Sequence, residues 1–326
     1  MGHNHTILLI MLKRFLISIL AIAMLTSCNR SGDAAVEYPG LGLEWTTMDS
    51  INKDLPDGIS VYQAIHVGAN LRAWYVRVEE KRHDIETRVE LSTDTDRRET
   101  VSEFAERLDV PVMINGGYFR MDLNPATHVG ILKVGDTLIH AATTSVLRGE
   151  QRFYLHRSAI GFDENDAIDI NWVSSTGDSV FTWDQGIDNI PGQPGDRLEP
   201  IHRKPWSYRD ILGAGPLLMR DGEVFIPVNE EIFYGTSIPE VHPRTAAGTT
   251  PEGDLILLVV DGRQLISRGV DLPELADIML QLGCEDAINL DGGGSSALVV
   301  NGKLLNRPAG KTVQREVMSA IAVYSN

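Results

Sequence analysis

Apolar and polar residues alternate along much of the first half of the chain, a pattern that predicts β-strands. The alternation covers residues 59–67, 71–78 and 85–91, and a Gly-Ala-Asn turn at 68–70 joins the first two as a hairpin. Short apolar runs broken by turn residues continue from 129 to 183. These segments predict a fold in which strands outnumber helices.

Two segments have the helical period instead. Thr100 precedes apolar residues that fall on one face of a helix over 101–108, and Asp271 precedes a second helical pattern that Gly283 ends. Apolar strands predicted over 255–260 and 286–290 flank this second helix. The sequence therefore predicts an α+β fold, a large, mostly antiparallel mixed sheet with a few flanking helices and one strand–helix–strand crossover.

The N-terminus has the features of a targeting segment. Lys13 and Arg14 precede an apolar run over 15–25, which is too short to span a bilayer and is followed by Leu-Thr-Ser-Cys. This ending resembles a bacterial lipobox, whereas an ordinary signal with a chance cysteine is the alternative. We expect residues 1–27 to be a signal peptide, Cys28 to carry a lipid, and residues 28–45 to be a tether, which places the protein in a bacterial cell envelope with the membrane as a partner.

Charge limits the kind of partner. The formal net charge is −16, and it becomes −18 when residues 1–27, with two cations and no acids, are removed. Nucleic acid is therefore not an expected partner, because phosphate-backbone binding requires clustered Lys and Arg. An anionic substrate needs a local basic site. The second cysteine, Cys284, is expected to be a small apolar core residue.

One glycine-rich motif is the strongest indication of chemistry. The predicted strand over 286–290 leads into Asn289-Leu290-Asp291-Gly292-Gly293-Gly294-Ser295-Ser296. Glycines permit close approach to the backbone, and successive N–H groups can form an anion-binding nest beside the carboxylate. A sharp bend is the structural alternative. Neither a P-loop nor a Gly-x-Ser-x-Gly nucleophile elbow occurs in the chain.

Three further polar motifs lie at predicted strand ends or in glycine-containing turns. They are Asn115-Gly116-Gly117-Tyr118-Phe119, His242-Pro243-Arg244-Thr245-Ala246 and Asp261-Gly262-Arg263. Each alone has a structural explanation as a turn, a surface histidine or an ion-pair partner. Strand ends are also where a rigid sheet positions functional side chains, so together the motifs predict one site.

In combination and order, these motifs resemble the phosphodiester glycosidase family. The resemblance spans roughly residues 105–326, which form the predicted family-like domain, whereas 46–104 are expected to add strands to it. The matching segments are Asn115 to Phe119, Gly213-Ala214-Gly215-Pro216, Pro243 to Ala246, Val259 to Arg263, Asn289 to Ser296, Arg315 and Ala320-Ile321. The resemblance implies a hydrolase that cleaves a sugar from a phosphodiester-linked glycan.

The implied chemistry suggests roles for these residues. Asp291 and Asp261 are candidates for nucleophile or general base, and their separation would indicate retention at ~5 Å or inversion at ~6.5–9.5 Å. Arg244 is the expected phosphate clamp, because guanidinium binds phosphate oxygens in a fork. The remaining expected residues bind substrate or orient the carboxylates: Asn115, Gly116, Tyr118, His242, Arg263, Asn289, Gly292, Gly293, Gly294 and Ser295.

No cofactor and no metal site is predicted. Two alternatives remain open at this stage, a glycosidase for a neutral exported polysaccharide and a non-catalytic carbohydrate-binding lipoprotein. The enzymatic proposal requires Arg244 and Asp291 to face one ligand, and loss of Arg244 should impair only a phosphodiester glycosidase.

Overall fold

The structure is a computed structural model that describes residues 40–79, 84–135, 137–164, 167–311 and 313–325. The predicted signal peptide, Cys28 and most of the predicted tether lie outside these residues. Within the described part of the chain, no helix is long and apolar enough to cross a lipid bilayer.

Strands dominate the fold, and the α+β class with a few flanking helices is confirmed. In chain order the strands are β1 (Thr46–Thr47), β2 (Ile59–His66), β3 (Leu71–Val78), β4 (Ile85–Leu91), β5 (Val112–Asn115), β6 (Phe119–Arg120), β7 (Thr127–His128), β8 (Leu132–Val134), β9 (Thr137–His140), β10 (Ser145–Arg148), β11 (Gln151–Tyr154), β12 (Arg157–Phe162), β13 (Ile168–Thr176), β14 (Ser179–Trp183), β15 (Arg203–Pro205), β16 (Asp210–Gly213), β17 (Leu217–Arg220), β18 (Glu223–Val224), β19 (Arg244–Thr249), β20 (Leu255–Val260), β21 (Asp286–Asn289), β22 (Leu298–Val300), β23 (Lys303–Leu304) and β24 (Ser319–Ser325).

The helices are short, and the two longer ones begin where the sequence predicts. They are α1 (Asp49–Asn52), α2 (Val101–Leu108) and α3 (Leu272–Gln281), with 3₁₀ turns at Pro200–His202, Gly293–Ser295 and Pro308–Gly310. Thr100 and Asp271 each form a capping box with a glutamate three residues later, which satisfies N–H groups that the first helical turn leaves unpaired. Both predicted helices are therefore confirmed with their caps.

The strands form three main sheets, all from antiparallel pairs. The eight-stranded sheet has the order β1-β2-β3-β20-β19-β21-β17-β18, the seven-stranded sheet β15-β14-β13-β12-β16-β8-β9, and the five-stranded sheet β23-β22-β5-β24-β4. Two hairpins, β10-β11 and β6-β7, complete the set. Residues 46–104 supply β1 to β3 of the first sheet and β4 of the third.

Strand β20 shows why the eight-stranded sheet is buried on both faces. Leu255, Leu257 and Val259 join the main hydrophobic core, to which the other two large sheets also contribute. Ile256, Leu258 and Val260 point to the other face, where they share a second core with α3. Because successive side chains in a strand alternate between faces, a strand covered on both sides reads as a continuous apolar run.

The predicted crossover is confirmed, and it determines where the polar motifs lie. Strands β20 and β21 both pair antiparallel with β19, so they run parallel on either side of it, with α3 between them in sequence. Arg244 begins β19 opposite Val260, and Ala246 pairs with Asn289. The start of β19 and the ends of β20 and β21 therefore lie side by side at the same end of the sheet.

Candidate active site

The glycine motif after β21 is bound closely to the start of β19. Gly293 has φ +66°, and its N–H donates to the Pro243 carbonyl at 2.8 Å. A Cβ on Gly292 would lie 2.8 Å from that carbonyl, and one on Gly294 would lie 2.7 Å from Nη2 of Arg315. The motif lacks side chains here because a backbone and a guanidinium occupy the space.

The N–H groups of this turn are mostly used within the protein. The Gly292 N–H donates to Oδ1 of Asp291 at 2.9 Å, and the Ser295 N–H donates to the Gly292 carbonyl at 3.2 Å. Together with the Gly293 bond, this leaves only the Gly294 N–H without an acceptor among the described residues. The turn therefore offers no row of free donors, and side chains must provide the positive charge for an anion.

Asp291 is half-buried and held from both sides of its backbone. Its N–H donates to the Gly116 carbonyl at 3.1 Å, and its own carbonyl accepts from Nδ2 of Asn115 at 2.7 Å. Burial raises the pKa of Asp291 to about 6, against the opposing effects of the Ser295 hydroxyl, the Arg315 charge and the Gly292 N–H. A carboxylate with this pKa is ionised at neutral pH and can accept a proton there.

Asn115 is fully buried and positions Asp291. Its Nδ2 donates to the carbonyls of Asp291 and, at 3.4 Å, Gly116, while Oδ1 accepts from the Thr245 hydroxyl at 2.8 Å and the Ala297 N–H at 3.1 Å. These four bonds use its whole donor and acceptor capacity. Asn115 therefore orients the carboxylate, the second of the two roles expected from the sequence. Gly116 also supports the site from behind. It packs tightly there, because a Cβ on this residue would lie 2.5 Å from Oγ of Ser319.

Tyr118 and Asn289 form a second supporting pair. The Tyr118 hydroxyl donates to the Gly215 carbonyl at 2.7 Å and accepts from Nδ2 of Asn289 at 2.6 Å. The Asn289 amide also donates to the Gly215 carbonyl at 2.9 Å. Burial, and then the negative charge of Asp291, raise the pKa of Tyr118, so this hydroxyl stays protonated. The pair fixes one side of the site.

Arg244 is buried, with its guanidinium surrounded by backbone carbonyls. Nε donates to the Val270 carbonyl at 3.0 Å, and Nη2 donates to the carbonyls of Ile238, at 2.8 Å, and Glu240. Burial lowers the pKa of Arg244 to about 10, which leaves it charged at neutral pH. The carbonyls fix the orientation of this cation, and Nη1 has no hydrogen-bond partner among the described residues.

His242 and Arg263 are bonded to each other. Nδ1 of His242 accepts from Nη2 of Arg263 at 3.1 Å, and Nε2 donates to the Ser237 carbonyl at 2.8 Å. Since guanidinium only donates and a carbonyl only accepts, these contacts require the neutral Nε2–H tautomer. Burial and the charges of Arg244 and Arg263 lower the pKa of His242, in agreement with that form.

These side chains surround one cavity of about 200 Å³. The sequence requirement that Arg244 and Asp291 face a common space is met. Three arginines against one aspartate give the lining a formal charge of +2, in a chain whose net charge is −16. The cavity is lined by Tyr118, Ser237, Ile238, His242, Arg244, Arg263, Asp291, Gly292, Gly293 and Arg315.

Asp261, the second expected catalytic acid, does not line this cavity. It is buried, and Oδ1 accepts from Nδ2 of Asn306 at 3.1 Å and from the Arg307 N–H at 3.0 Å. Burial raises the pKa of Asp261, and these bonds oppose the rise. Its contacts argue for a structural role, in which it holds the turn that leads toward Arg315, and against nucleophile or base.

Several other residues expected at the site support it from behind. Asn115, Gly116, Asn289, Gly294 and Ser295 are outside the cavity lining. Sequence reasoning missed the contribution of Ser237 and Ile238, which belong to a loop without a recognisable motif. Arg315 matched the closing segment of the resemblance and was, like Arg263, a weaker candidate with a structural alternative. No local pattern indicated its place beside Asp291.

A larger cavity, of about 1020 Å³, lies elsewhere in the fold. Its walls include Trp172, Phe225 and Arg220 together with the loop over 184–198. None of the four polar motifs contributes to it, and its three aspartates and one glutamate outnumber its two arginines. An active site is recognised by charged side chains that converge on one space and not by volume alone. The smaller cavity is therefore the candidate active site.

Comparison with known proteins agrees with this geometry. Residues 109–324 match the sequence model of a family described as phosphodiester glycosidase. N-acetylglucosamine-1-phosphodiester alpha-N-acetylglucosaminidase of Bos taurus is 28% identical over 222 residues, which cover 65% of this chain and 35% of the bovine protein. The chain therefore spans about a third of the length of that relative.

Two further comparisons concern a bacterial protein and a solved structure. The SPbeta prophage-derived uncharacterized protein YomE of Bacillus subtilis (strain 168) is 38% identical over 115 residues, 35% of this chain and 17% of that protein. The zebrafish N-acetylglucosamine-1-phosphodiester alpha-N-acetylglucosaminidase catalytic domain, auto-inhibited by its pro-peptide, aligns with a TM-score of 0.58 at 20% identity. The alignment covers 87% of this chain and 88% of the zebrafish chain, a likeness that shows the fold.

Proposed function

The chain belongs to the phosphodiester glycosidase family, and from this premise we propose that it hydrolyses the bond between a sugar anomeric carbon and a phosphate oxygen. The supporting observation is the cavity in which Arg244, Arg263 and Arg315 surround the single carboxylate of Asp291. The name of the bovine relative specifies an N-acetylglucosamine-1-phosphodiester. We propose this substrate class for the present chain, as part of a phosphodiester-linked glycan.

The leaving group explains why arginines predominate in this cavity. Cleavage of the C1–O bond releases a phosphomonoester, a weaker base than the alcohol released in ordinary glycoside hydrolysis, so protonation by a general acid matters less. The phosphate gains negative charge as the bond breaks. Preorganised cations that meet this charge stabilise the transition state more than the ground state.

Asp291 is the reacting carboxylate in this proposal. Its pKa of about 6 leaves it ionised at neutral pH, beside the arginines that bind the phosphate. Asp291 either attacks C1 or activates a water molecule that does so. The anomeric configuration of the released sugar, followed by NMR during turnover, distinguishes the two routes, because attack by Asp291 retains the configuration and attack by water inverts it.

The neighbouring residues hold this arrangement in place. Asn115 fixes the backbone of Asp291, and the Tyr118–Asn289 pair fixes the adjacent wall. Arg244 cannot swing freely, because three carbonyls hold its Nε and Nη2. Fixed dipoles and charges of this kind avoid reorganisation during the reaction.

The experiment that tests the function compares two substrates with the same sugar. We expect release of N-acetylglucosamine from an N-acetylglucosamine-1-phosphodiester and at least about 10²-fold lower kcat/KM for the matched neutral glycoside, since the cavity charge acts on phosphate. Equal rates would favour a glycosidase for neutral polysaccharide. Binding of the phosphodiester by folded protein without any turnover would favour a non-catalytic carbohydrate-binding protein.

We also propose that the protein is exported and anchored in the bacterial envelope by a lipid on Cys28. The support is the basic, apolar and small-residue pattern that ends at this cysteine. We expect Cys28→Ala to decrease the share of the protein in the membrane fraction of cells, and Cys284→Ala to leave that share unchanged. Mass spectrometry of the mature N-terminus provides the second measurement, and an unmodified Cys28 would contradict the proposal.

A further inference from the structure

Three adjoining loops, two of which contribute arginines to the candidate active site, expose large apolar side chains. Leu265 is 97% exposed, Val67 82% and Val313 77%, which places them among the four most exposed large apolar residues of the described chain. They belong to segments 65–72, 263–268 and 307–315, the last taken without residue 312, which lies outside the described residues. We call these three segments the docking face. Exposed apolar residues on adjoining loops mark interaction surfaces more often than isolated ones do.

Hydrogen bonds join the three loops into one surface. The Arg268 N–H donates to the Asn70 carbonyl at 2.8 Å, and the Arg72 N–H donates to Oγ of Ser267 at 3.1 Å. On the other side, Nε2 of Gln264 donates to the Arg307 carbonyl at 2.9 Å. The apolar side chains of the docking face are therefore presented by loops with fixed relative positions.

The docking face has a charge opposite to that of the whole chain. Its three segments contain no aspartate or glutamate, in a chain with 45 of them, and six arginines and lysines. Arg263, Arg307 and Lys311 are exposed, whereas Arg268 is paired with Glu274 at 2.5 Å and 2.9 Å. Exposed cations interleaved with exposed apolar side chains match an anionic lipid surface.

The docking face is continuous with the candidate active site. Arg263 and Arg315 belong to the docking face and also line the cavity. Leu265 follows Arg263 by two residues at the tip of a hairpin that the Gln264–Ser267 bridge closes, and Val313 precedes Arg315 by two residues. A surface that contacts the docking face therefore lies next to the cavity.

We propose that the docking face binds an anionic lipid bilayer. Leu265, Val67 and Val313 enter the boundary between headgroups and acyl chains, and the exposed cations meet lipid phosphates. The cavity then lies at the headgroup layer, where it takes a sugar phosphodiester carried by a membrane lipid. This last step rests on the proposed function, whereas the docking itself does not.

A tryptophan reporter in the full-length chain tests the docking. We expect the emission of Leu265→Trp, after subtraction of the wild-type signal from its five tryptophans, to shift to the blue with phosphatidylcholine vesicles that contain phosphatidylglycerol, and not with phosphatidylcholine alone. Ile201→Trp is the matched control, because Ile201 is 85% exposed and lies outside the docking face. Residues 1–39 are common to both variants, so they do not account for a difference between them.

Three outcomes would overturn the docking proposal. They are an unchanged emission of Leu265→Trp with the anionic vesicles, an equal shift of Ile201→Trp, and the same Leu265→Trp shift with soluble dextran sulfate. The last of these would assign the face to a polyanionic polymer in place of a bilayer.

Turnover tests the substrate step separately. Leu265→Ser should hydrolyse a soluble sugar phosphodiester at the wild-type rate and the same group on a vesicle-borne lipid about tenfold more slowly, as the loss of one inserted leucine implies. Equal rates of variant and wild type on the vesicle-borne substrate would contradict the lipid-substrate step. If the wild type hydrolyses neither substrate, the proposed function fails, while the emission experiment still decides the docking.

Discussion

Asp291→Asn is expected to lower kcat for the sugar phosphodiester about 10²–10⁴-fold, the range observed when a positioned acid–base group is removed. Asparagine keeps the size and the polar contacts of the side chain but has no negative charge and no basic oxygen. Substrate binding should weaken little, because the three arginines of the cavity remain. Steady-state kinetics separate the two effects, since the loss should appear in kcat and not in KM.

The pH dependence of kcat in the wild type should report the ionisation of Asp291. Because burial raises the pKa of Asp291 to about 6, kcat should fall as the pH decreases through about 6 and should be constant just above it. Asp291→Asn should lack this acidic limb in whatever activity remains. A wild-type profile that is flat from pH 5 to pH 7 would contradict the assignment of Asp291 as the reacting carboxylate.

The same pKa has a consequence for stability. The folded-state pKa of about 6 exceeds the ordinary value of 3.8, so the folded state keeps a proton that the unfolded chain releases between these values. The stability linked to this group is fully present below about pH 4 and is lost as the pH rises through about 6, a change of about 3 kcal/mol at most. Asp291→Asn should therefore raise the free energy of unfolding at pH 7, measured by urea denaturation, while it lowers activity.

Asp261→Asn is the control that distinguishes the two expected acids. Asp261 accepts hydrogen bonds from Asn306 and Arg307 and is not part of the cavity lining, so its replacement should leave the acidic limb of the kcat profile near pH 6. If Asp261→Asn removes the limb and Asp291→Asn does not, the roles are reversed.

Local patterns were sufficient to predict the elements on which the site is built. The crossover strands and α3 were predicted because their signals are local, an apolar run, a cap and a helical period. The division of the strands into three sheets was not predicted, because it depends on pairing across long separations. For example, β4 begins at Ile85 and pairs with β24, which ends at Ser325.

Local sequence patterns were also insufficient to assign different roles to the two aspartates. Both Asp261 and Asp291 follow a buried strand and precede glycine, so their local sequences are equivalent. What separates them is contact with residues distant in sequence, Asn306 for Asp261 and Asn115 for the backbone of Asp291. The predicted nest did not form as expected for a similar reason. The space beside the glycines is filled by the Pro243 backbone and by Arg315, which the motif itself does not reveal.

Arg315→Ala should slow phosphodiester hydrolysis about 10²–10³-fold, as expected when a preorganised group that stabilises developing charge is removed. Arg315 lines the cavity, donates weakly to the Ser295 hydroxyl at 3.5 Å, and lies against Gly294. The charge on phosphate increases as the C1–O bond breaks, so the loss should appear mainly in kcat. Steady-state kinetics with the soluble sugar phosphodiester measure it.

The variant should also change the pH profile, through a separate electrostatic effect. The positive charge of Arg315 lowers the pKa of Asp291 against the larger effect of burial, so its removal should raise that pKa further and move the acidic limb above pH 6. Arg315→Lys should keep the limb near pH 6, because the charge remains, while it recovers only part of kcat, because an ammonium group lacks the guanidinium fork.

Arg307→Ala is the matched control, since it removes the same charge from the same loop at an exposed position outside the cavity lining. It should leave both kcat and the acidic limb unchanged on the soluble substrate. Equal losses for Arg307→Ala and Arg315→Ala would mean that the general positive potential of the loop, and not a specific contact of Arg315 with the departing phosphate, determines the rate. A normal kcat for Arg315→Ala would remove this arginine from the proposed mechanism and leave the phosphate to Arg244 and Arg263.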